Sequence, residues 1–147
     1  MKFTPPDYLL VFIGLQIIFN YFLPIFRFIY GPFIYLGVPF FLIGIYLNLI
    51  FVYYAFKKEK TTVNPYEIPN KLVKYGAFKI TRNPCYLGMA LTLLGVSIWL
   101  GSLVSFIFPF LFIVLTNIFT IPIEEKNLEK KFGKEYLDYK KKVRRWI

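Results

Sequence analysis

The chain has 147 residues, 57% of them apolar and 22% aromatic, with a mean hydropathy of +0.55 and a formal net charge of +10. It contains no histidine and one cysteine, Cys85. That excludes a histidine-based triad, a histidine zinc site, a histidine-held haem and any internal disulfide. The length suits one domain over residues 1–147.

Uncharged stretches cover residues 8–26, 28–56 and 83–123, the last over 41 residues. A bilayer core takes roughly 20 apolar residues per helix. The last stretch therefore reads as two crossings, broken at Leu100-Gly101-Ser102. A chain this short cannot cover three such runs with polar surface. The expected fold is an all-α integral membrane protein with about four transmembrane helices, near residues 8–23, 33–56, 84–100 and 103–121.

In chain order, a polar entry with Pro5-Pro6 leads into the first helix, which Pro24 disturbs. Residues 26–32 make a short connection ended by Gly31-Pro32. The second helix carries Pro39 as a kink and Gly37 and Gly44 as points of close helix approach. Its Asn48 suits an interhelical hydrogen bond better than a ligand contact. Residues 57–80 form a connector with turns at Asn64-Pro65, Pro69-Asn70 and Gly76, and a short turn within 71–78. Asn83 is placed to cap the third helix, with Pro84 at its first position. The third and fourth helices make a tight hairpin, and Pro109 bends the fourth.

The C-terminal segment, 124–147, is charged and amphipathic. Leu128, Phe132, Tyr136, Tyr139 and Val143 fall on one stripe, and Gly133 divides the segment. Such a segment is expected to lie on the membrane surface, with Trp146 at head-group depth.

The cations are clustered. Seven lie between Lys57 and Arg82, nine between Lys126 and Arg145, and only Lys2 and Arg27 stand apart. The positive-inside rule then places both rich segments and both termini in the cytoplasm, with Arg27 on the far side. The net charge reads as topology and contact with anionic membrane lipids, and no nucleic-acid motif accompanies it. No cleavable signal peptide is evident.

Two stretches carry chemistry. Arg82-Asn83-Pro84 opens a helix whose N-terminus and neighbouring cations favour an anionic group. Glu124-Glu125 stands where the fourth helix leaves the membrane on the same face. Two carboxylates there are costly unless cations meet them, and on charge alone they read first as interface residues facing lysines.

Taken together, Gly76-x5-Arg82-Asn83-Pro84-x-Tyr86-x-Gly88, Glu124-Glu125-x2-Leu128 and Phe132-Gly133-x2-Tyr136-x2-Tyr139 resemble the isoprenylcysteine carboxyl methyltransferase and phospholipid methyltransferase group. The resemblance covers roughly the second half of the chain. It implies a membrane enzyme that uses S-adenosylmethionine. Arg82, Asn83, Pro84, Tyr86, Leu87, Gly88 and Glu125 would then bind the cofactor, and Glu124 and Arg82 would act in catalysis. No metal is implied. The acceptor would be lipophilic, a prenylcysteine carboxylate or a lipid amine, reached from the bilayer at the cytoplasmic face.

Asn83 replaces a histidine that many relatives carry, and it cannot titrate. Thr120 stands where many carboxyl methyltransferases have an arginine, which tilts the choice away from a carboxylate acceptor. The alternatives are an NADPH-dependent membrane reductase of the sterol type, whose C-terminal motif is related, and a non-enzymatic small membrane protein. The oligomeric state is left open.

Overall fold

The computed structural model describes residues 5–23, 25–62, 64 and 66–147. The expected break at Pro24, the Pro65 half of the Asn64-Pro65 turn and the first four residues lie outside them. Among the described residues the protein is helical, with no strand and only two isolated bridges, Arg27 with Ser102 and Thr81 with Arg144.

Five helices organise the chain. We label them α1 (Pro5–Phe22), α2 (Gly31–Lys58), α3 (Pro84–Leu100), α4 (Leu103–Phe132) and α5 (Lys134–Lys142). α2 begins as a 3₁₀ turn, Gly31–Leu36, and widens to π geometry over Tyr46–Val52. α4 does the same over Thr116–Thr120. Both π segments lie near the basic end, where such widenings commonly mark function.

α2 and α4 are long and apolar enough to cross a membrane, and α1 and α3 are shorter apolar helices. Large apolar side chains point outward all round, among them Leu10 (70% exposed), Leu42 (59%) and Phe110 (70%). An apolar exterior on this scale belongs against lipid.

The inside, by contrast, is partly polar. Gln16 of α1 is fully buried and its Nε2 donates to the carbonyls of Leu93 and Ser105 and to Ser97 Oγ. The Ser105 carbonyl needs such partners because Pro109, four residues on, has no N–H to offer it. Ser97 Oγ supplies a second donor at 2.9 Å. α4 therefore runs on through Pro109 with its freed carbonyl satisfied from neighbouring helices.

α2 and α3 run antiparallel along a glycine seam. A Cβ on Gly88 would meet the Gly44 carbonyl at 2.8 Å, and one on Gly95 would meet the Gly37 carbonyl at 2.7 Å. Only glycine lets the two backbones come this close. Asn48 Oδ1 accepts from Cys85 Sγ across the same interface, the interhelical role expected of it.

At one end, the segment before Gly31 is pinned to the α3–α4 hairpin, since the Phe28 N–H donates to the Gly101 carbonyl and the Leu103 N–H to those of Ile25 and Phe26. Gly101 takes a left-handed φ of 69°, which lets the hairpin turn in two residues. At the other end lie the connector, α5 and nearly all the charge.

The C-terminal stripe corrects an expectation. Tyr136, Tyr139 and Val143 are buried, with Leu128, Phe132 and Leu72 packed around them. The stripe faces the connector instead of lipid, and Tyr139 OH donates to the Phe78 carbonyl at 2.6 Å. Trp146 packs against the core cluster of Leu9, Tyr86, Met89 and Ile121. The physical reason is that the connector offers an apolar wall of its own, in which Val73 and Phe78 pack on Ala55 of α2.

Candidate functional site

The N-terminal end of α3 is assembled by a returning strap. Pro84 fits the first helical turn, and the Asn83 carbonyl accepts from the Leu87 N–H at 3.0 Å. The Asn83 side chain does not cap the helix as expected. Its Nδ2 donates to the Arg145 carbonyl at 2.8 Å, and Thr81 Oγ1 donates to that carbonyl at 3.1 Å. The Arg82 N–H donates to the Arg144 carbonyl at 3.0 Å. The main chain of residues 144–145 is thus stitched to the loop that opens α3.

That stitching carries the Arg145 guanidinium to Glu125. Nη2 and Nε donate to the two carboxylate oxygens at 2.8 and 3.1 Å, the two-pronged geometry that favours arginine. Arg82 approaches the same carboxylate at 3.0 Å and Lys140 at 3.5 Å. Arg145 Nη1 donates to Asn117 Oδ1 in the π segment of α4 at 2.9 Å, and Trp146 Nε1 shares that acceptor. Burial alone would raise the Glu125 carboxyl. The Arg145 hydrogen bonds and the charges of Arg82, Arg145 and Lys140 outweigh it and hold the carboxyl below its ordinary value.

Glu124 behaves in the opposite way. It is half-buried and accepts from Tyr86 OH at 3.1 Å. The uncharged part of α4 ends at Ile123, so Glu124 stands just beyond it. Burial, with the neighbouring Glu125 charge, pushes its carboxyl up to about 7 against the lowering effect of the Tyr86 hydrogen bond. Two adjacent carboxylates thus differ sharply: one is held ionised by three cations, and the other is poised to exchange a proton near neutrality.

Both face a narrow cleft at the basic end. Arg82, Asn83, Glu124 and Glu125 line it, together with Tyr136, Tyr139 and Leu128 from the C-terminal segment. Thr62, Asn64, Glu67, Lys71 and Val73 of the connector form the opposite wall. Tyr86 stands behind Glu124. Pro84, Leu87 and Gly88 do not line the cleft, and Gly88 packs on α2 instead.

Sequence reasoning missed the connector wall and Asn117. Nothing in a run of turn residues announces which side of a pocket it will form. Tyr136 and Tyr139, by contrast, stand in the motif quoted above, and that was a usable signal.

One polar group in the cleft is left over. Arg82 donates to Tyr136 OH at 3.2 Å and pairs with Glu125, yet its buried Nε–H has no acceptor. A buried donor without a partner is costly, and it suits an anionic group. Around it stand a half-buried carboxylate, tyrosine rings and the Thr62 and Asn64 polar groups, a donor set able to hold a ligand that carries both signs of charge.

The chain is 47% identical over 62 residues to an uncharacterized protein of Haemophilus influenzae, a match covering 42% of this chain and 98% of that one. The family model for phospholipid methyltransferase matches residues 32–135, from the start of α2 through the strap's first turn. That span takes in the whole glycine seam, the Arg82 motif and the Glu124-Glu125 pair, and the chain belongs to the phospholipid methyltransferase family, a family of membrane methyltransferases.

Proposed function

We propose that the protein transfers a methyl group from S-adenosylmethionine to the amine of a lipophilic acceptor in the cleft at its basic end. The observation that carries this reading is the contrast between Glu124, raised to about 7, and Glu125, clamped by Arg82, Arg145 and Lys140. Family membership makes methyl transfer the reaction class, and it lends no support to a reductase.

When bound, the cofactor supplies an electrophilic methyl group on a sulfonium sulfur. The residues fit it. Arg82 Nε–H is available for its amino-acid carboxylate, and the Glu124 carboxylate and the faces of Tyr136 and Tyr139 suit its positive centre. Glu125 does not contact the ligand in this scheme. It fixes Arg82 through their 3.0 Å pair.

A protonated amine cannot act as a nucleophile. Glu124 accepts its proton, which a carboxyl titrating near 7 does efficiently at neutral pH. Tyr86 OH holds one Glu124 oxygen at 3.1 Å and leaves the other for the acceptor. The cleft walls exclude water and fix the approach line, which is most of what a direct displacement asks of a protein. Of the cations that line the cleft, Lys71 is paired with Glu59, and Arg82 with Glu125 and, in this scheme, the cofactor's carboxylate, so a carboxylate acceptor would find little to neutralise it.

The two shorter helices α1 and α3 cross the bilayer beside α2 and α4, giving four crossings with the cleft and both termini in the cytoplasm. The support is the charge distribution and the apolar exterior. The acceptor's lipid chain enters from the membrane.

The test is a methyl-transfer assay with aminolipid and prenylcysteine acceptors across pH 5.5–9, beside calorimetric titration with S-adenosylhomocysteine. An aminolipid rate that rises with pH through about 7, and is lost in Glu124→Gln with product-analogue binding retained, is the expected result. A flat profile with a fully active Glu124→Gln variant would remove Glu124 as the base. Transfer only to the prenylcysteine would replace the acceptor class.

A further inference from the structure

The end of the bundle remote from the cleft holds an apolar trough that methyl transfer does not use. α1 packs on α3 and α4, α2 packs on α3, and α1 and α2 make little contact with each other. The gap between them encloses about 1250 Å³ counted to its open mouth. Ile13 and Ile17 of α1 and Ile34 of α2 form its walls, and Val96 and Trp99 of α3 its floor. A second hollow shares Ile17, Arg27 and Tyr30 with the trough and adds Asn20, so Arg27 stands between the two.

Arg27 is the one cation at this end among the described residues, and it is exposed. Its backbone is pinned by the bridge to Ser102, and its carbonyl accepts from Tyr30 OH. No ion pair among the described residues engages its guanidinium. Every carboxylate of the chain belongs to the opposite end: Asp7 opens α1 there, and the rest lie in the connector, beyond Ile123 of α4 or in α5. A second copy in the same membrane orientation would therefore bring Arg27 no counter-charge.

We propose that this trough binds an anionic phospholipid, its phosphate on Arg27 and one acyl chain along the floor made by Val96 and Trp99. A free anion would explain Arg27 but not the trough, and a neutral lipid would explain the trough but not Arg27. The proposal rests on the reading that the bundle spans the bilayer with Arg27 at the face opposite the cleft. It is independent of the methyl acceptor.

Trp99 is 63% exposed and reports on the trough directly. With Trp146 replaced by Phe, it is the only tryptophan left. Reconstituted full-length protein is titrated with phosphatidylglycerol or phosphatidylcholine brominated on the acyl chain, and quenching of Trp99 gives their relative affinity. Brominated phosphatidylglycerol should be preferred about three- to fivefold, the range of one partly screened ion pair. Arg27→Gln should abolish the preference and Arg27→Lys should keep most of it.

Equal quenching by the two lipids overturns the proposal. So does a preference that survives in Arg27→Gln, which would place the anionic lipid elsewhere. A control tryptophan at exposed Leu42, in a chain with Trp99 and Trp146 both changed to Phe, separates the remaining failures. Quenching at position 42 without quenching of Trp99 means that protein covers the trough. Quenching at neither position means that the bundle does not span the bilayer as read.

Discussion

Glu124 and Glu125 are neighbours in sequence, yet their surroundings give them opposite tasks. Glu124 titrates near 7 when folded and near the ordinary 4.5 when unfolded. A carboxyl raised in this way favours the fold below its unfolded value, and that contribution is lost as pH rises through about 7. Glu124→Gln should therefore raise the melting temperature at pH 8 and leave it nearly unchanged at pH 4.5, as read by a thiol-free thermal melt in detergent. The same variant should lose roughly 10²–10⁴-fold in aminolipid methylation. Gain of stability with loss of turnover is the expected signature of a residue held in an unfavourable state for chemistry.

Glu125 has the reverse sign. Its folded carboxyl is depressed, so its contribution is present above the unfolded value and is lost as pH falls through the folded one. Acidification from the ordinary carboxylate range downward should release the C-terminal segment, seen as a red shift of Trp146 fluorescence in a Trp99→Phe background. Arg145→Gln should weaken the same clamp at neutral pH. Losing two charge-assisted hydrogen bonds to a carboxylate that keeps Arg82 and Lys140 should cost about 1.5–3 kcal/mol. Hydrogen exchange over residues 134–146 reports it, and unchanged protection there would remove the strap from the account.

At the scale of elements, the α2–α3 seam decides where the Arg82 motif stands. A Cβ on Gly88 meets the Gly44 carbonyl and the Asn48 N–H, both main-chain atoms that cannot swing aside. Gly88→Ala should thus force the helices apart at a cost of about 1–3 kcal/mol. Gly14 of α1 has nothing within 4 Å of its would-be Cβ, so Gly14→Ala should be neutral or slightly stabilising. Comparing the two by thermal melting separates seam packing from the general effect of removing a glycine. Destabilisation of equal size in both would argue against the seam. The position of Gly88 in the sequence motif then follows from helix approach.

The whole molecule is polarised from end to end. Cations crowd the connector and C-terminal segment, and the other end of the described structure shows Arg27 alone. With Cys85 changed to Ala, a cysteine placed at Lys60 or Lys142 should resist an impermeant thiol reagent in intact cells and react once the membrane is opened. Labelling of either from outside would invert the topology and, with it, the face at which the cleft opens.

The sequence by itself determined the parts that depend on local composition and spacing. Uncharged runs and glycine positions gave the helices and their close approach, because bilayer length and backbone contact are properties of the segment concerned. The Arg82 and Glu124-Glu125 motifs gave the family. Pairing across long stretches of chain was decided only in three dimensions. Asn83 was legible as a helix-start residue, but the arrival of the Arg145 carbonyl 62 residues later turned its amide away from capping. The stripe from Leu128 to Val143 was legible as amphipathic, yet its partner could not be read from it, because an apolar face is equally satisfied by lipid or by the connector's Leu72 and Phe78 wall. The contrast in surroundings between the two adjacent glutamates was likewise a tertiary outcome. It follows from three cations converging on Glu125 while Glu124 meets only the Tyr86 hydroxyl.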